Sequence, residues 1–148
     1  MSNTTQTIVQ GPAGNLEVML SEPSGNIDGV AVLCHPHPLY GGSMHDSVLN
    51  IATSALLQQH MAVARFNFRG VGKSQGISGR GTEQEKSLQS YEPPEVGDLL
   101  AVAQWAQAHF SLSSLIYAGY SFGSHVLWQT LTQINCEKAL LIAPPSAV

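Results

Sequence analysis

The chain has 148 residues, 43% of them apolar and only 11% charged, and a net charge of −4. That length suits a single domain over 1–148 with a real core, while the acidic balance and the lack of any Lys or Arg run exclude a phosphate track for nucleic acid. No apolar stretch is long enough for a membrane span, no basic-then-apolar leader stands at the N-terminus, so a cytoplasmic protein is expected, and Cys34 and Cys136 have neither metal-type spacing nor the look of a disulfide framework.

In chain order, residues 7–9 and 17–20 flank Gly11-Pro12-Ala13-Gly14-Asn15, a turn cluster, and read as a β-hairpin. Val30-Ala31-Val32-Leu33-Cys34 is a continuous apolar run, the pattern of a strand buried on both faces. It empties into His35-Pro36-His37-Pro38-Leu39-Tyr40-Gly41-Gly42. Residues 47–59 then predict a helix capped by Asp46 or Ser47, with Val48, Ile51, Ala52, Ala55 and Leu56 on one face. Residues 61–66 are the next strand, followed by Asn67-Phe68-Arg69-Gly70-Val71-Gly72-Lys73-Ser74, and residues 70–92 read as loop. Pro93-Pro94 opens a helix with Glu95 in its first turn and an apolar stripe of Val96, Leu99, Leu100, Ala103 and Ala106. A strand over 115–118, a helix over 122–134 and a strand over 139–142 complete the pattern. Such alternation makes a mostly parallel sheet with helices on both faces, an α/β fold.

The chemistry sits at the junctions. Gly119-Tyr120-Ser121-Phe122-Gly123 lies between a strand and a helix, the G-x-S-x-G context of a nucleophile elbow. Its turn is so tight that the positions two away from the serine need to be nearly free of side chain. It pushes the Ser121 hydroxyl over the strand ends and aims the Phe122 N–H at a developing oxyanion. A second oxyanion donor comes from the loop after an early strand. Pro36 and Pro38 have no N–H to give, so the candidates are His37 and Leu39. Tyr40, Gly41, Gly42 and Tyr120 flank the same mouth as substrate-binding candidates.

Together these segments resemble the small bacterial α/β-hydrolases whose oxyanion loop reads H-P-H-P-x-x-G-G. Those proteins also carry N-F-R-G-x-G-x-S and G-[FY]-S-F-G in the same order. Leu140-Leu141-Ile142-Ala143-Pro144-Pro145 is similar to that family's strand after the nucleophile helix, so the likeness runs from about Ile8 to Pro145. It implies an α/β-hydrolase fold, a serine nucleophile and an ester or related acyl substrate. The fold expected includes the N-terminal antiparallel hairpin read above, and no cofactor or metal is expected. In this fold the triad acid and then the histidine follow the serine. After Ser121 stand only His125, four residues into the next helix, and Glu137, before the next strand. Their order is reversed and neither is placed to serve, so the expectation is a fold lacking its last two strands. The strand at 139–142 is then an apolar edge, expected to be covered by a second copy or by a missing C-terminal segment.

Other patterns have plainer readings. Gly70-Val71-Gly72-Lys73-Ser74 is similar to the end of a Walker A loop, but Asn67 replaces its first glycine and no helix follows. His35, His37 and His45 lack the neighbouring ligands of a metal centre and read as packing for the oxyanion loop. His37 or His45 is the in-chain alternative for a base to Ser121, with Asp46 beside His45. Trp105 and Trp128 read as core or interface anchors. Asp98, mid-helix, reads as a solvated or cap-bonded carboxylate.

Overall fold

Two almost wholly buried, mostly apolar strands organise the sheet. The computed structural model describes residues 3–78 and 92–144. In it, β3 (Gly29–Cys34) and β4 (Met61–Phe66) lie side by side in parallel, almost every residue buried. The full strand order is β1-β2-β4-β3-β5-β6, where β1 is Asn3–Gly11, β2 Gly14–Glu22, β5 Leu115–Tyr120 and β6 Cys136–Ile142. Strands β1 and β2 form an antiparallel hairpin that joins the sheet through β2 against β4. The rest of the sheet is parallel. This is the α/β-hydrolase-like architecture, a mixed six-stranded sheet with an antiparallel edge.

The hairpin is longer than the sequence suggests, its ladder running from Asn3 opposite Glu22 to Gly11 opposite Gly14. The outward positions of β1 are polar except Ile8, which is 54% exposed, so alternation is visible only where β1 packs. Apolar positions of β3 divide the core by parity. Val30, Val32 and Cys34 face one side with Phe66, Phe68 and Tyr117, while Ala31 and Leu33 face the other with Val63 and Ala118.

Helix α1 (Ser47–Gln58) covers the second face, and Asp46 caps it, its Oδ2 accepting from Val48 N at 2.8 Å and Leu49 N at 3.2 Å. The buried residues are Leu49 and Thr53, with Ala52, Leu56 and Leu57 packed beside them. The stripe expected from sequence is therefore rotated: Ile51 is 70% exposed and Ala55 is exposed. Thr53 misleads a hydropathy reading because its hydroxyl donates to Leu49 O at 2.7 Å and can be buried cheaply.

Helices α2 (Glu95–Phe110) and α3 (Phe122–Thr130) cover the first face. The expected α2 stripe is buried or packed against the core, with Val102 added to it. Asp98 requires a correction. It is fully buried, neither solvated nor capping, and holds Arg69. Its carboxylate accepts the Arg69 backbone N–H at 2.9 Å and Arg69 Nη2 at 2.8 Å, and Nη2 also donates to Pro94 O at 2.8 Å. Helix α3 is shorter than expected, giving way to a 3-10 turn at Leu131–Gln133, and β6 begins earlier. Trp105 packs on the core and stacks on His109, whereas Trp128 is 62% exposed and is no core anchor. Strand β6 ends the sheet with four consecutive exposed residues, Leu140 at 59% among them. No helix among the described residues is long and apolar enough to cross a membrane.

Replacing Asp98 with Ala strands the Arg69 guanidinium beside buried backbone. We expect a loss of about 3 kcal/mol in urea unfolding. A loss below about 1 kcal/mol would mean that the pair is solvated after all.

Candidate active site

Ser121 sits at φ 54°, ψ −116°, a conformation rare for a residue with a side chain and one that costs on the order of 1–3 kcal/mol. Its neighbours impose it. A Cβ on Gly119 would lie 2.5 Å from Gly123 O and 2.7 Å from Ser124 Cα. One on Gly123 would collide with Cys34 O and lie 2.6 Å from His35 O. The first turn of α3 thus presses against the end of β3, backbone on backbone. Ser121 N–H donates to Ile142 O at 2.9 Å, tying the elbow to the end of β6. Ser121 heads α3 without capping it through its side chain, and its hydroxyl bonds no other described residue.

The loop after β3 is held by His35. Its Nδ1 is 2.7 Å from Pro36 O, and its Nε2 accepts the Phe68 N–H at 3.0 Å. The second bond requires a lone pair on Nε2, so the ring is neutral with its proton on Nδ1. Burial pushes its pKa down from 6.5 to about 4, against smaller upward contributions from the Pro36 bond and the Asp46 charge. Gly42 folds back on the same loop, its N–H donating to His37 O at 3.0 Å, and any side chain there would strike Pro36 O. Aromatic contacts continue the brace: Phe68 meets His35 at 4.7 Å and Phe122 at 5.7 Å, and His37 meets Phe122 at 5.8 Å and Tyr40 at 4.7 Å.

A polar network beneath this loop went unread in the sequence. Asn67 Oδ1 accepts the Met44 N–H at 2.8 Å, and its Nδ2 donates to Glu17 Oε1 at 2.6 Å. Glu17 Oε1 also accepts the Lys73 N–H at 2.7 Å, so the Walker-like loop already faces a carboxylate of the chain itself. Arg65 is buried in β4, where Nη1 donates to Asn50 Oδ1 at 2.6 Å and burial lowers its pKa. The signal was a short polar residue inside an apolar strand end, which hydropathy alone does not rank.

These parts enclose a cleft of about 270 Å³ lined by Pro36, His37, Tyr40, Gly41, Gly42, Asp46, Tyr120 and Ser121. Of the residues singled out from sequence, Leu39 and Phe122 are not in that lining. Phe122 is buried behind it at the head of α3. Leu39 is largely exposed and its N–H donates to His37 Nδ1 at 3.0 Å. That bond takes the Nδ1 lone pair, so a neutral His37 carries its proton on Nε2 and presents a donor there. His45 is exposed and absent from the lining. His125 lines a different cleft, with Ser124, Trp128, Leu141 and Pro144. Glu137 lies at the start of β6, the end remote from the Ser121 contact at Ile142. Among the described residues no group of three or more His, Cys, Asp or Glu could hold a metal ion.

No family model matches the chain. The chain is 37% identical to an α/β serine hydrolase homologue from Coxiella burnetii, with a TM-score of 0.83 over 98% of this chain and 64% of that one. It is 33% identical to an α/β serine hydrolase without a lid from Xanthomonas campestris, with a TM-score of 0.82 over 97% of this chain and 62% of the other. An esterase from Pyrococcus furiosus, 18% identical, shares the fold with a TM-score of 0.76 over 97% of this chain and 51% of its own. An uncharacterized protein of Rickettsia prowazekii is 32% identical over 142 residues, 95% of this chain and 55% of that relative. The chain therefore spans less than two thirds of the length of these relatives. The matches support a place in the α/β-hydrolase superfamily.

The neutral, buried His35 gives stability a defined pH dependence. The unfolded chain takes up the proton first, so this group's contribution is present above about pH 6.5 and lost as pH falls toward about 4. Between pH 7 and pH 5 urea unfolding should show a loss of about 2 kcal/mol that His35→Gln does not share. Parallel pH profiles for the two proteins would show that His35 is not held neutral.

Proposed function

We propose that this chain carries the nucleophile and oxyanion half of a serine hydrolase acting on ester or related acyl bonds. The observation that carries the reading is Ser121 at φ 54° at the head of α3, lining the same cleft as Pro36, His37, Tyr40, Gly41 and Gly42. In this reading Ser121 Oγ attacks the carbonyl carbon, the carbon–oxygen π pair moves onto oxygen, and the leaving alcohol departs as the acyl-serine forms. The Phe122 N–H at the head of α3 and the His37 N–H take the oxyanion. Between the two loop candidates, His37 is favoured because the Leu39 N–H is committed to His37 Nδ1. Tyr40, Gly41, Gly42 and Tyr120 form the walls that meet substrate. The resemblance to serine hydrolases over nearly all of the chain supports this assignment.

A proton acceptor is also needed, since an unassisted serine hydroxyl is a weak nucleophile. His37 is unsuited because its Nδ1 lone pair is taken, and His125 belongs to another cleft. We infer that a histidine and its carboxylate reach Ser121 from polypeptide packed along the exposed β6 edge, either a further segment of a longer chain or a second copy. The bond from Ser121 N–H to Ile142 O, which sets the end of β6 beside the nucleophile, supports that route. That no described side chain bonds the Ser121 hydroxyl also favours a second reading, a catalytically impaired hydrolase-fold protein that binds acyl ligands or a protein partner.

Fluorophosphonate labelling with mapping of the modified residue separates the readings. Rapid labelling at Ser121, abolished in Ser121→Ala, is expected for protein isolated from its native source. Labelling of this polypeptide alone should be slower by a factor of about 10³ or more, because only the oxyanion and binding contributions remain. An unreactive Ser121 in both preparations would leave the binding-protein reading.

A further inference from the structure

The cleft lining combines aromatic rings with one carboxylate, Asp46, that has no part in the acyl chemistry. Its eight residues include three aromatic rings, His37, Tyr40 and Tyr120, and a single carboxylate, Asp46, with no Lys or Arg. Asp46 is held firmly. Its backbone N–H donates to Ser43 O at 3.1 Å, and its Oδ2 accepts two N–H groups of α1. No described residue bonds its Oδ1, and Asp46 is part of the cleft lining. Tyr40 is 88% exposed, its ring 4.7 Å from that of His37. An exposed aromatic side chain that lines one cleft with a carboxylate gives a cation two kinds of attraction: a charged oxygen and the negative faces of tyrosine rings. The net charge of −4 favours the approach of such a ligand and opposes that of an anion.

We propose that this wall is a cation subsite, and that the cleft prefers ligands carrying an ammonium group close to the carbonyl presented to Ser121. The proposal rests on the hydrolase reading for the carbonyl end of the ligand. The ammonium end stands on Asp46, Tyr40 and Tyr120 alone. A neutral or anionic acyl compound of the same shape would leave the Asp46 oxygen without a cation. The helix dipole at the start of α1 offsets part of the Asp46 charge, so the aromatic faces carry a share of the recognition.

Choline and 3,3-dimethylbutan-1-ol supply the test, since they differ only in nitrogen versus carbon at the branched centre. Neither can be hydrolysed, so the comparison is independent of Ser121 chemistry. Titration of the chain at low ionic strength, followed by NMR, should give choline an affinity at least ~10-fold above that of the alcohol. The shifts should centre on Tyr40, Asp46 and Tyr120. Asp46→Asn keeps an N-cap of equal quality for α1 and should bring the ratio down to about 3 or less. Tyr40→Leu, at an exposed position, should lower it at least ~2-fold with the fold intact. Equal affinities in the unaltered chain, or a full preference surviving Asp46→Asn, would overturn the proposal. A normal choline preference in a protein whose Ser121 ignores fluorophosphonate would retain the subsite while rejecting the hydrolase reading.

Discussion

The site depends on one backbone contact, the seating of Gly123 against the carbonyls of Cys34 and His35. No other residue type fits, because even a methyl group would occupy space already held by main-chain atoms, which cannot swing aside as a side chain can. The contact locks the start of α3 to the end of β3, and the chain between β5 and α3 must then turn within one residue. Ser121 takes up that turn at a positive φ, and the strain is held by the parallel β3–β5–β6 ladder and by the bond from Ser121 N–H to Ile142 O.

The same closeness explains why the loop after β3 is so heavily braced. A loop that leaves a strand against another helix's first turn has little room to relax, and its polar groups lose water. His35 answers this by spending both ring nitrogens, one on its own loop and one on the Phe68 N–H. Asn67 ties the next turn of that loop to Glu17 on β2. Arg69, anchored by Asp98, fixes the loop after β4 to α2. Three loops from three strand ends are therefore set with respect to one another before any ligand arrives, the condition under which oriented N–H groups stabilise charge at little reorganisation cost. Strand β6 is the opposite case. Among the described residues it pairs with β5 alone, and Leu140 on it and Trp128 on α3 are both exposed.

Much of this was legible in sequence, for identifiable reasons. Long apolar runs at 30–34 and 61–66 announced buried parallel strands, and paired glycines around Ser121 announced a turn too tight for side chains. The helix faces were harder. Thr53 and Asp98 are buried because each has a partner, Leu49 O in one case and Arg69 in the other, and partners across the fold do not register in hydropathy. His35 packs the loop as its place after a buried strand leads one to expect, but spacing carries nothing about which ring nitrogen meets which partner. Neither the commitment of the Leu39 N–H to His37 nor the place of Asp46 on the cleft wall follows from spacing, since both depend on how the 3-10 turn at Pro38–Tyr40 closes. The Pro145 end of the motif over 140–145, and most of the loop read over 70–92, lie outside the described residues.

The central proposal is that the elbow and the Pro36–Gly42 loop together offer an oxyanion site. A crystal structure with an alkyl boronic acid bound tests it most directly, because boron accepts a serine oxygen and becomes tetrahedral like the reacting carbon. The account predicts a bond from boron to Ser121 Oγ. One boron oxygen should lie within about 3 Å of both the His37 and Phe122 nitrogens, with the loop backbone unmoved. A boronate whose oxygens avoid both nitrogens, or a loop that has to rebuild itself to meet them, would contradict it.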